Sequence, residues 1–263
     1  MSDDSDVLVR ERIEAELRAR GIRLGLPLVL VDETGSTNDL ASEEAMKDIA
    51  HGALILADRQ TRGRGRLGRK WFSPGGQNLY MSLVLRPQVP VERLAAITLV
   101  IGLGVAEGIA GFVPGVEVGL KWPNDVLIAR RKAVGILVEA SMSGALVRHV
   151  IAGIGVDVLQ RSFDPEIASI ATSIALHAAQ PPDRTTVLVE VLGHLQRRLE
   201  QFEREGIDAM LEDLRARDAT RGHRVRCVAG EGTGAGIAQD GALRVQLAQG
   251  ELVTVRAGDV HLL

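Results

Sequence analysis

The 263-residue chain is poor in the residues that mark several common classes of protein. A single cysteine, Cys227, excludes an intrachain disulfide, and the six histidines show none of the spacings of a zinc site. Aromatic residues make up only 3% of the chain, which is few for a surface that stacks nucleic-acid bases. The cysteine content fits a reducing compartment, and we expect a cytoplasmic protein.

The chain also lacks a strong net charge and a long apolar run. Its formal charge is -3 and its pI about 6.1, whereas general polyanion binders usually have a pI above roughly 9, so any anion site must be local. The run from Leu94 to Ala106 falls short of the roughly 20 residues of a membrane-spanning helix and is predicted to be a buried helix. The acidic segment from Met1 to Asp6 does not resemble a secretory signal. Neither export nor membrane association is expected.

Positive charge is nevertheless concentrated in one segment, residues 59 to 71. It contains six cationic side chains and three glycines and no acidic residue. Arginine offers planar, bidentate donors to phosphate or carboxylate, and glycine lets the backbone approach a ligand. The segment is predicted to be a mobile loop that grips an anion. Its cations are Arg59, Arg62, Arg64, Arg66, Arg69 and Lys70.

The apolar pattern predicts an α+β fold. Closely spaced strands with short turns between residues 116 and 158 favour a mixed, largely antiparallel sheet over repeated βαβ units. Ser5 is a candidate N-cap for a first helix, and residues 185–202 form an amphipathic helix. From Thr220 the pattern changes to five short strands with glycine turns, which predicts a small barrel. We therefore expect a catalytic domain over residues 1–218 and a barrel over residues 219–263.

The glycines at positions 63, 65 and 68 match the spacing Gly-x-Gly-x-x-Gly, but their context argues against a dinucleotide fold. No helix opens within them, and no acidic residue at a strand end follows at about 20 positions. A nucleotide-hydrolase phosphate loop is excluded as well, because Arg69 and Lys70 follow Gly68 where Lys and Ser or Thr are required. Three interpretations remain: a solvated basic loop, an Arg-Gly segment that grips RNA, or an induced-fit loop over an adenylate.

Other polar turns also follow predicted strands. Ser36, Thr37 and Asn38 come after one strand, the run Lys121-Trp122-Pro123-Asn124-Asp125 after another, and Lys132 lies just before Gly135. Each of these turns alone is most simply structural. Because ligands tend to bind at strand ends, the set together indicates a site for an anionic, partly apolar small molecule plus a nucleotide.

In their order along the chain these motifs resemble those of the biotin protein ligases. The resemblance covers nearly the whole chain and rests on the runs Gly35-Ser36-Thr37-Asn38, Gln60 to Trp71, Lys121 to Asp125, Lys132 with Gly135 to Glu139, and Gly153-Ile154-Gly155-Val156. It implies a catalytic domain like that of class II aminoacyl-tRNA synthetases, followed by an SH3-like barrel. It also implies ATP-dependent biotinylation of a carrier-domain lysine through biotinyl-adenylate, with Mg²⁺ accompanying ATP.

The resemblance further implies roles for individual residues. Lys132 and Arg66 would be the catalytic cations. No metal ligand is assigned, and Asp125 and Asp157 are the candidate positions near Mg²⁺. Biotin would contact Ser36, Thr37, Asn38, Gln60, Gly63, Arg64, Gly65, Arg66, Lys132 and Gly135. ATP would contact Arg66, Arg69, Trp71, Lys121, Asn124, Asp125 and Asp157.

Two positions depart from the family pattern. Arg62 stands where the family usually has alanine, and Asp157 where it usually has asparagine. A carboxylate repels phosphates unless a cation compensates it. Asp157 is therefore interpreted either as a metal ligand or as a cause of weaker ATP binding, and an inactive family member is an alternative that rests on this residue alone.

The expected partners are biotin, ATP and the biotin carrier domain of a carboxylase, and a homodimer is compatible with the resemblance. About 35 residues precede Ser36, too few for a separately folding DNA-binding domain, so we expect a ligase-only form that does not bind DNA. Two alternative functions remain. One is a lipoate or octanoate ligase with the same chemistry, and the other is an RNA-binding module that uses the Arg-Gly loop.

Overall fold

The computed structural model describes residues 6–144 and 146–263 and contains two sheets. The larger sheet has seven strands in the order β1-β2-β3-β7-β6-β5-β4, of which only β1 and β2 are parallel. The predicted α+β fold with a mixed, largely antiparallel sheet is thereby confirmed. The strands are β1 (Leu28–Thr34), β2 (Ala53–Gln60), β3 (Leu79–Leu85), β4 (Val118–Lys121), β5 (Asp125–Ile128), β6 (Arg131–Ser143) and β7 (Leu146–Val156).

Helices cover both faces of this sheet. On one face α2 packs against β2, β3 and β7, and its alanines Ala41 and Ala45 let it lie close to them. On the other face α3 packs against β4, β5 and β6, and α4 packs against α3. At Gly108 of α3 an added Cβ would lie 2.6 Å from the Cα of Val191, so the close approach of these two helices requires glycine there. The helices are α1 (Arg10–Ala19), α2 (Thr37–Met46), α3 (Ile97–Ala110), α4 (Arg184–Glu205) and α5 (Leu211–Ala216).

The predicted buried helix begins as a 3₁₀ turn, Val91–Ala96, and continues as α3. The segment Val91–Ala110 is long and apolar enough to cross a membrane, but 67% of its most apolar window is buried inside the fold. It is therefore the core helix that the sequence predicts.

The chain before α1 is held by a buried arginine. Arg184, only 2% exposed, pairs with Asp58 at 2.7 Å and with Asp6 at 3.1 Å. Asp58 also accepts a hydrogen bond from the backbone N–H of Gly76 at 2.9 Å. These contacts fix the end of β2 and the turn that closes the basic loop. The predicted cap Ser5 lies outside the described residues, and α1 begins at Arg10.

The second sheet contains the five predicted C-terminal strands in the antiparallel order β11-β10-β9-β8-β12. The sheet is open, so the SH3-like barrel is not confirmed, and the domain boundary at residue 219 stays a prediction. Trp122 connects this sheet to the larger part of the fold, because its buried Nε1 donates to the carbonyl of Gly241 at 3.1 Å. The strands are β8 (Arg224–Cys227), β9 (Gly230–Ile237), β10 (Leu243–Leu247), β11 (Leu252–Val255) and β12 (His261–Leu262).

Candidate active site

The predicted site residues converge on one cavity of about 440 Å³, which is within the usual size range of ligand pockets. Of the predicted site residues, Gly63 does not line the cavity. Its carbonyl accepts the backbone N–H of Trp71 at 2.9 Å, a contact that closes the basic loop. The predicted residues that line the cavity are Ser36, Thr37, Asn38, Gln60, Arg64, Gly65, Arg66, Arg69, Trp71, Lys121, Asn124, Asp125, Lys132, Gly135 and Asp157.

The basic loop forms a small hairpin beside the cavity. Arg64 and Lys70 form an antiparallel bridge, and Gly65 donates its N–H to the carbonyl of Arg69 at 2.7 Å. A single 3₁₀ turn at the tip contains Leu67 with φ 55°, and its side chain is 77% exposed. The tip therefore presents backbone and cations rather than a packed core. The predicted mobility of this loop stays a prediction.

Arg62, which departs from the family pattern, has a defined place. Its backbone N–H donates to the carbonyl of Gly35 at 2.8 Å. Its guanidinium packs closely on the same glycine, since a Cβ added to Gly35 would lie only 2.8 Å from Nη2 of Arg62. The arginine thus packs on the turn that precedes Ser36. It does not line the cavity.

A buried carboxylate between two lysines organises the cationic end of the cavity. Asp125 accepts from Lys121 Nζ at 2.7 Å and from Lys132 Nζ at 2.6 Å. Burial alone would raise the pKa of Asp125, but the charges of Lys132 and Lys121 outweigh it and hold that pKa below its usual value. Both ammonium groups are therefore fixed close together in the cavity wall.

The backbone of Lys132 is held on both sides by the segment that follows β7. Its N–H donates to the carbonyl of Ile170 at 2.7 Å, and its carbonyl accepts from Thr172 at 2.8 Å. Lys132 Nζ also lies 5.3 Å from the ring centroid of Trp71, within cation–π range. The backbone bonds thus fix the residue, while Asp125 and Trp71 position its ammonium group.

The Trp71 ring packs on two glycines of adjacent strands. An added Cβ on Gly135 of β6 would lie 2.6 Å from ring atom Cζ3, and one on Gly155 of β7 would lie 2.5 Å from Nε1. Gly135 and Gly155 are register partners, so together they form a flat floor under the indole. Trp71 Nε1 is buried and has no hydrogen-bond partner among the described residues.

Several residues of the site were missed by the sequence analysis. Asp259, just before β12, pairs with Arg69 and lies 3.3 Å from Arg66. Arg66 also donates to Asn124 Oδ1 at 3.2 Å. Nothing in the local sequence signals Asp259, because the contact joins residues 193 and 190 positions apart. The others are Ser73, Ser82 and Glu139, which contact predicted residues through side chains.

Comparison with known proteins identifies the family. A model of the biotin/lipoate A/B protein ligase family matches residues 30–157. The chain is 36% identical over 273 residues to the biotin–acetyl-CoA-carboxylase ligase of Mycobacterium tuberculosis, covering 96% of this chain and 98% of that relative. This chain belongs to the biotin/lipoate protein ligase family. The family and the type of enzyme predicted from the ordered motifs are thereby confirmed.

Further relatives agree with this family assignment. The chain is 34% identical over 245 residues to the bifunctional ligase/repressor BirA of Bacillus spizizenii, covering 91% of this chain and 75% of that protein. A solved biotin protein ligase of Aquifex aeolicus, in complex with biotin and ATP, matches with a TM-score of 0.76 and 30% identity. That match covers 90% of this chain and 98% of the other.

Within this ligase fold, Asp157 is the most unusual group of the cavity. It is 6% exposed, and none of the side-chain hydrogen bonds among the described residues involves its carboxylate. Burial raises its pKa well above the ordinary value, although the charge of Lys132 acts in the opposite direction. Among the described residues, no group of three His, Cys, Asp or Glu side chains is placed to hold a metal ion. A cation at Asp157 would need the rest of its oxygen ligands from a substrate.

Replacing Asp157 with Asn should stabilise the ligase at neutral pH without reducing adenylate formation. Burial disfavours the charged form of Asp157 and raises its pKa in the folded state. The folded protein therefore becomes less stable as the pH rises from about 4 through that raised pKa. The variant should therefore melt a few degrees higher than the wild type at pH 7 to 8, since about 1 kcal/mol moves the Tm by roughly 2–4 °C in a domain of this size. Calorimetry from pH 4 to 8 in magnesium-free buffer measures this difference, which should vanish near pH 4.

Asp125→Asn is the matched control for this prediction. The pKa of Asp125 is lowered, so its stabilising contribution is present at neutral pH and is lost as the pH falls below the ordinary value. This variant should melt lower than the wild type at pH 7. If the Tm of both variants shifted in the same direction at pH 7, the assigned pKa directions of Asp157 and Asp125 would be contradicted. A large loss of adenylate formation in Asp157→Asn would show that the carboxylate has a specific role.

Proposed function

We propose that this chain joins biotin to a specific lysine of a biotin carrier domain, using ATP and forming biotinyl-adenylate on the way. The observation that carries the proposal is the cavity itself, in which an amide and hydroxyl wall and a cluster of fixed cations face the same space. The relative from M. tuberculosis is named as a biotin–acetyl-CoA-carboxylase ligase, and the A. aeolicus structure holds biotin and ATP. The first name supports biotin and a carboxylase as substrates, and the second supports biotin and ATP.

The two ends of the cavity suit the two substrates. The wall of amide and hydroxyl groups fits the polar bicyclic ring of biotin, and the cationic end fits the triphosphate. Gly65 and Arg64 lie between these ends, beside the path of the biotin tail. The biotin end is formed by Ser36, Thr37, Asn38 and Gln60, and the nucleotide end by Arg66, Arg69, Trp71, Lys121, Asn124, Asp125, Lys132 and Asp157. Gly135, which lies under the Trp71 ring, is proposed to contact biotin where the two ends meet.

In the first step a carboxylate oxygen of biotin attacks the α-phosphorus of ATP, and the bond to pyrophosphate breaks. Both reactants are anions, so fixed cations offset their repulsion and stabilise the charge of the transition state. Lys132 is placed for this role by its backbone and by Asp125, and Arg66 by Asn124. No side-chain nucleophile is needed. In the second step the amine of the carrier lysine attacks the acyl carbon and AMP leaves.

Magnesium is proposed to accompany ATP. Mg²⁺ is usually held by one or two carboxylates together with substrate phosphates and water. Asp157 fits that pattern, because its carboxylate is not engaged by another side chain of the described residues, whereas both oxygens of Asp125 are paired with lysines. An asparagine at position 157 would keep one oxygen ligand, so Asp157→Asn is still expected to form the adenylate. When bound, the ion would neutralise charge on the phosphates.

The C-terminal sheet is proposed to support the nucleotide end. Asp259 contacts both Arg66 and Arg69, and residues 260–262 line the cavity. We further propose that residues 219–263 are a separate domain and that their sheet curls into an SH3-like barrel. A cytoplasmic location, a homodimer and the absence of DNA binding stay predictions.

Transfer to a carrier tests the proposal. Purified protein is mixed with ATP, magnesium, biotin and an apo biotin carrier domain, and the carrier is probed with streptavidin after denaturing electrophoresis. We expect labelling that requires ATP and disappears when the acceptor lysine of the carrier is replaced with arginine. Labelling of a carrier with lipoate or octanoate but not biotin would assign the alternative acyl ligase. Retention of RNA without any acyl transfer would overturn the ligase function.

A further inference from the structure

We propose that Glu139 is a positioning residue that sets the hydrogen-bond polarity of two side chains in the biotin wall, so that Thr37 and Asn38 face biotin as acceptors of N–H groups and not as donors. The inference rests on the proposed function and adds a determinant of specificity. Glu139 does not line the cavity, and it acts through Asn38. Its effect would therefore reach the substrate through the amide of that residue.

The amide of Asn38 is enclosed by three strands. Asn38 is 4% exposed and its side chain contacts Ser82 of β3, and Leu137 and Glu139 of β6. On β7, a Cβ added to Gly153 would overlap the amide oxygen of Asn38, so only glycine leaves room for it. The amide therefore has one position, and the remaining question is which of its two ends faces which neighbour.

The neighbours decide the orientation of that amide. One end lies 2.7 Å from Glu139 Oε2 and 3.4 Å from the carbonyl oxygen of Leu137. A carboxylate and a carbonyl can only accept hydrogen bonds, so the end facing them must be the NH₂ group. The oxygen of Asn38 consequently faces Ser82, whose Oγ lies 2.7 Å away.

This orientation propagates through two hydroxyl groups. Ser82 has a single hydroxyl proton and must donate it to the Asn38 oxygen. Ser82 Oγ and Thr37 Oγ1 lie 2.8 Å apart, and with the Ser82 proton on Asn38 this contact needs the proton of Thr37, so the hydroxyl of Thr37 donates to Ser82 rather than to Gln60 Oε1 at 3.1 Å. Gln60 Oε1 is still satisfied, because the backbone N–H of Thr37 donates to it at 2.9 Å. The hydroxyl and amide oxygens of Thr37 and Asn38 keep lone pairs only and can accept but not donate.

An accepting wall selects one kind of ligand ring. The cyclic urea of biotin carries two N–H donors, whereas the dithiolane ring of lipoate carries none. A ligand without these donors leaves buried acceptors unpaired, and sites built to hydrogen-bond a substrate group reject analogues that lack it. The charge of Glu139 therefore favours a ring with N–H groups over the apolar ring of the related ligases.

Removing the charge of Glu139 should cost little stability. Its carboxylate also pairs with Arg64 at 2.8 and 3.0 Å, and Arg64 pairs with Asp39 at 2.9 Å. The side chains of these three residues are 40–48% exposed, and ion pairs at such sites contribute only about 0–1 kcal/mol. Asp39 provides a matched control, because it shares the Arg64 partner but has no side-chain hydrogen bond to Asn38.

The test compares Glu139→Gln with Asp39→Asn in the full chain, by pyrophosphate release with biotin and ATP. A glutamine can donate or accept, so it no longer dictates the orientation of the Asn38 amide, and only the longer 3.4 Å contact with the Leu137 carbonyl still favours it. We expect Glu139→Gln to raise the KM for biotin on the order of tenfold or more, with the KM for ATP, kcat and Tm close to wild type. Asp39→Asn should leave all four values unchanged.

A ligand probe separates polarity from packing. The probe is a cyclic carbamate analogue of biotin, in which oxygen replaces one ring N–H, and its inhibition constant is compared with that of biotin. The wild type and Asp39→Asn should discriminate against the analogue on the order of tenfold or more, whereas Glu139→Gln should largely lose this discrimination because Asn38 can turn its NH₂ group to the ring oxygen. If Glu139→Gln fails to fold, Ser82→Ala interrupts the same chain of hydrogen bonds and should weaken the discrimination similarly.

Three results would overturn the inference. An unchanged KM for biotin in Glu139→Gln would show that the charge does not matter. Equal shifts in Glu139→Gln and Asp39→Asn would show that Arg64, and not Asn38, carries the effect. Undiminished discrimination against the carbamate would show that the polarity is set elsewhere. A wild-type protein that forms no biotinyl-adenylate would instead overturn the proposed function, and this inference with it.

Discussion

Lys132→Ala should abolish adenylate formation, lowering the rate on the order of 10³-fold, while the protein stays folded. The ammonium group is fixed by Asp125 at 2.6 Å and lies near the Trp71 ring, so it is oriented before the anionic substrates arrive. Removing one fixed donor to a developing charge typically costs about 10²–10³-fold, and here the same cation also offsets the repulsion between two anionic reactants. Pyrophosphate release with biotin, ATP and magnesium measures the effect.

The folded state should tolerate this change. The Lys132 side chain is 32% exposed, and Asp125 keeps its 2.7 Å contact with Lys121 after the substitution. Lys47→Ala is the control, since Lys47 is also a lysine paired with a carboxylate, Glu44, but lies on the surface away from the cavity. Lys47→Ala should have wild-type activity. If Lys132→Ala is active, Lys121 is the main catalytic cation and the assignment of Lys132 is wrong.

Lys132 also illustrates how far the sequence predicts the site. The lysine and its polar companions were predicted because each follows a strand, and the sheet brings those strand ends to one cavity. The strand signals themselves come from local apolar patterns, which predict closely spaced strands between residues 116 and 158 but do not fix where each strand ends. The motif run from Gly135 to Glu139 lies inside a longer strand, Arg131–Ser143, because pairing with β7 extends the strand on both sides.

Contacts that depend on tertiary structure could not be predicted from local patterns. Asp259 reaches Arg66 and Arg69 only because the C-terminal sheet packs beside the basic loop. Glu139 had a partial signal, since alternation along β6 places it on the same face as Gly135 and Leu137. Its role depends on Asn38, about 100 residues earlier, whose position is fixed by α2. The same limit applies to barrel closure, which local strand spacing alone does not decide.

The glycines of β6 and β7 were predicted as parts of motifs, and the structure shows what three of them do. Gly135 and Gly155 are the floor on which the Trp71 ring lies, while Gly153 makes room for Asn38. Neighbouring glycines thus serve the two ends of the cavity. The indole in turn lies beside Lys132, so the position of the ring on these two glycines affects the position of the Lys132 ammonium group.

Gly155→Ala should therefore disable the site through the tryptophan. An added Cβ would lie 2.5 Å from Trp71 Nε1 and must displace the ring, whereas the extended backbone of β7 accepts alanine without strain. Overpacking of this kind costs about 1–3 kcal/mol. Because the displaced ring also alters the surroundings of Lys132, we expect adenylate formation to fall on the order of 100-fold, since small misplacements of catalytic groups have effects of that size. Pyrophosphate release measures the loss of adenylate formation, tryptophan fluorescence the displacement of the ring, and Tm the loss of stability.

The steric cause can be separated from a general effect of alanine. Gly111→Ala is the control, because a Cβ on Gly111 would have no atom within 4 Å and its φ of -64° suits alanine. In the double variant Trp71→Ala, Gly155→Ala the clash is gone, so the Tm of the double variant should equal that of Trp71→Ala alone, a non-additivity expected only for residues in contact. Activity should stay low in both. A Gly155→Ala protein with wild-type fluorescence and activity would show that the ring does not depend on this floor.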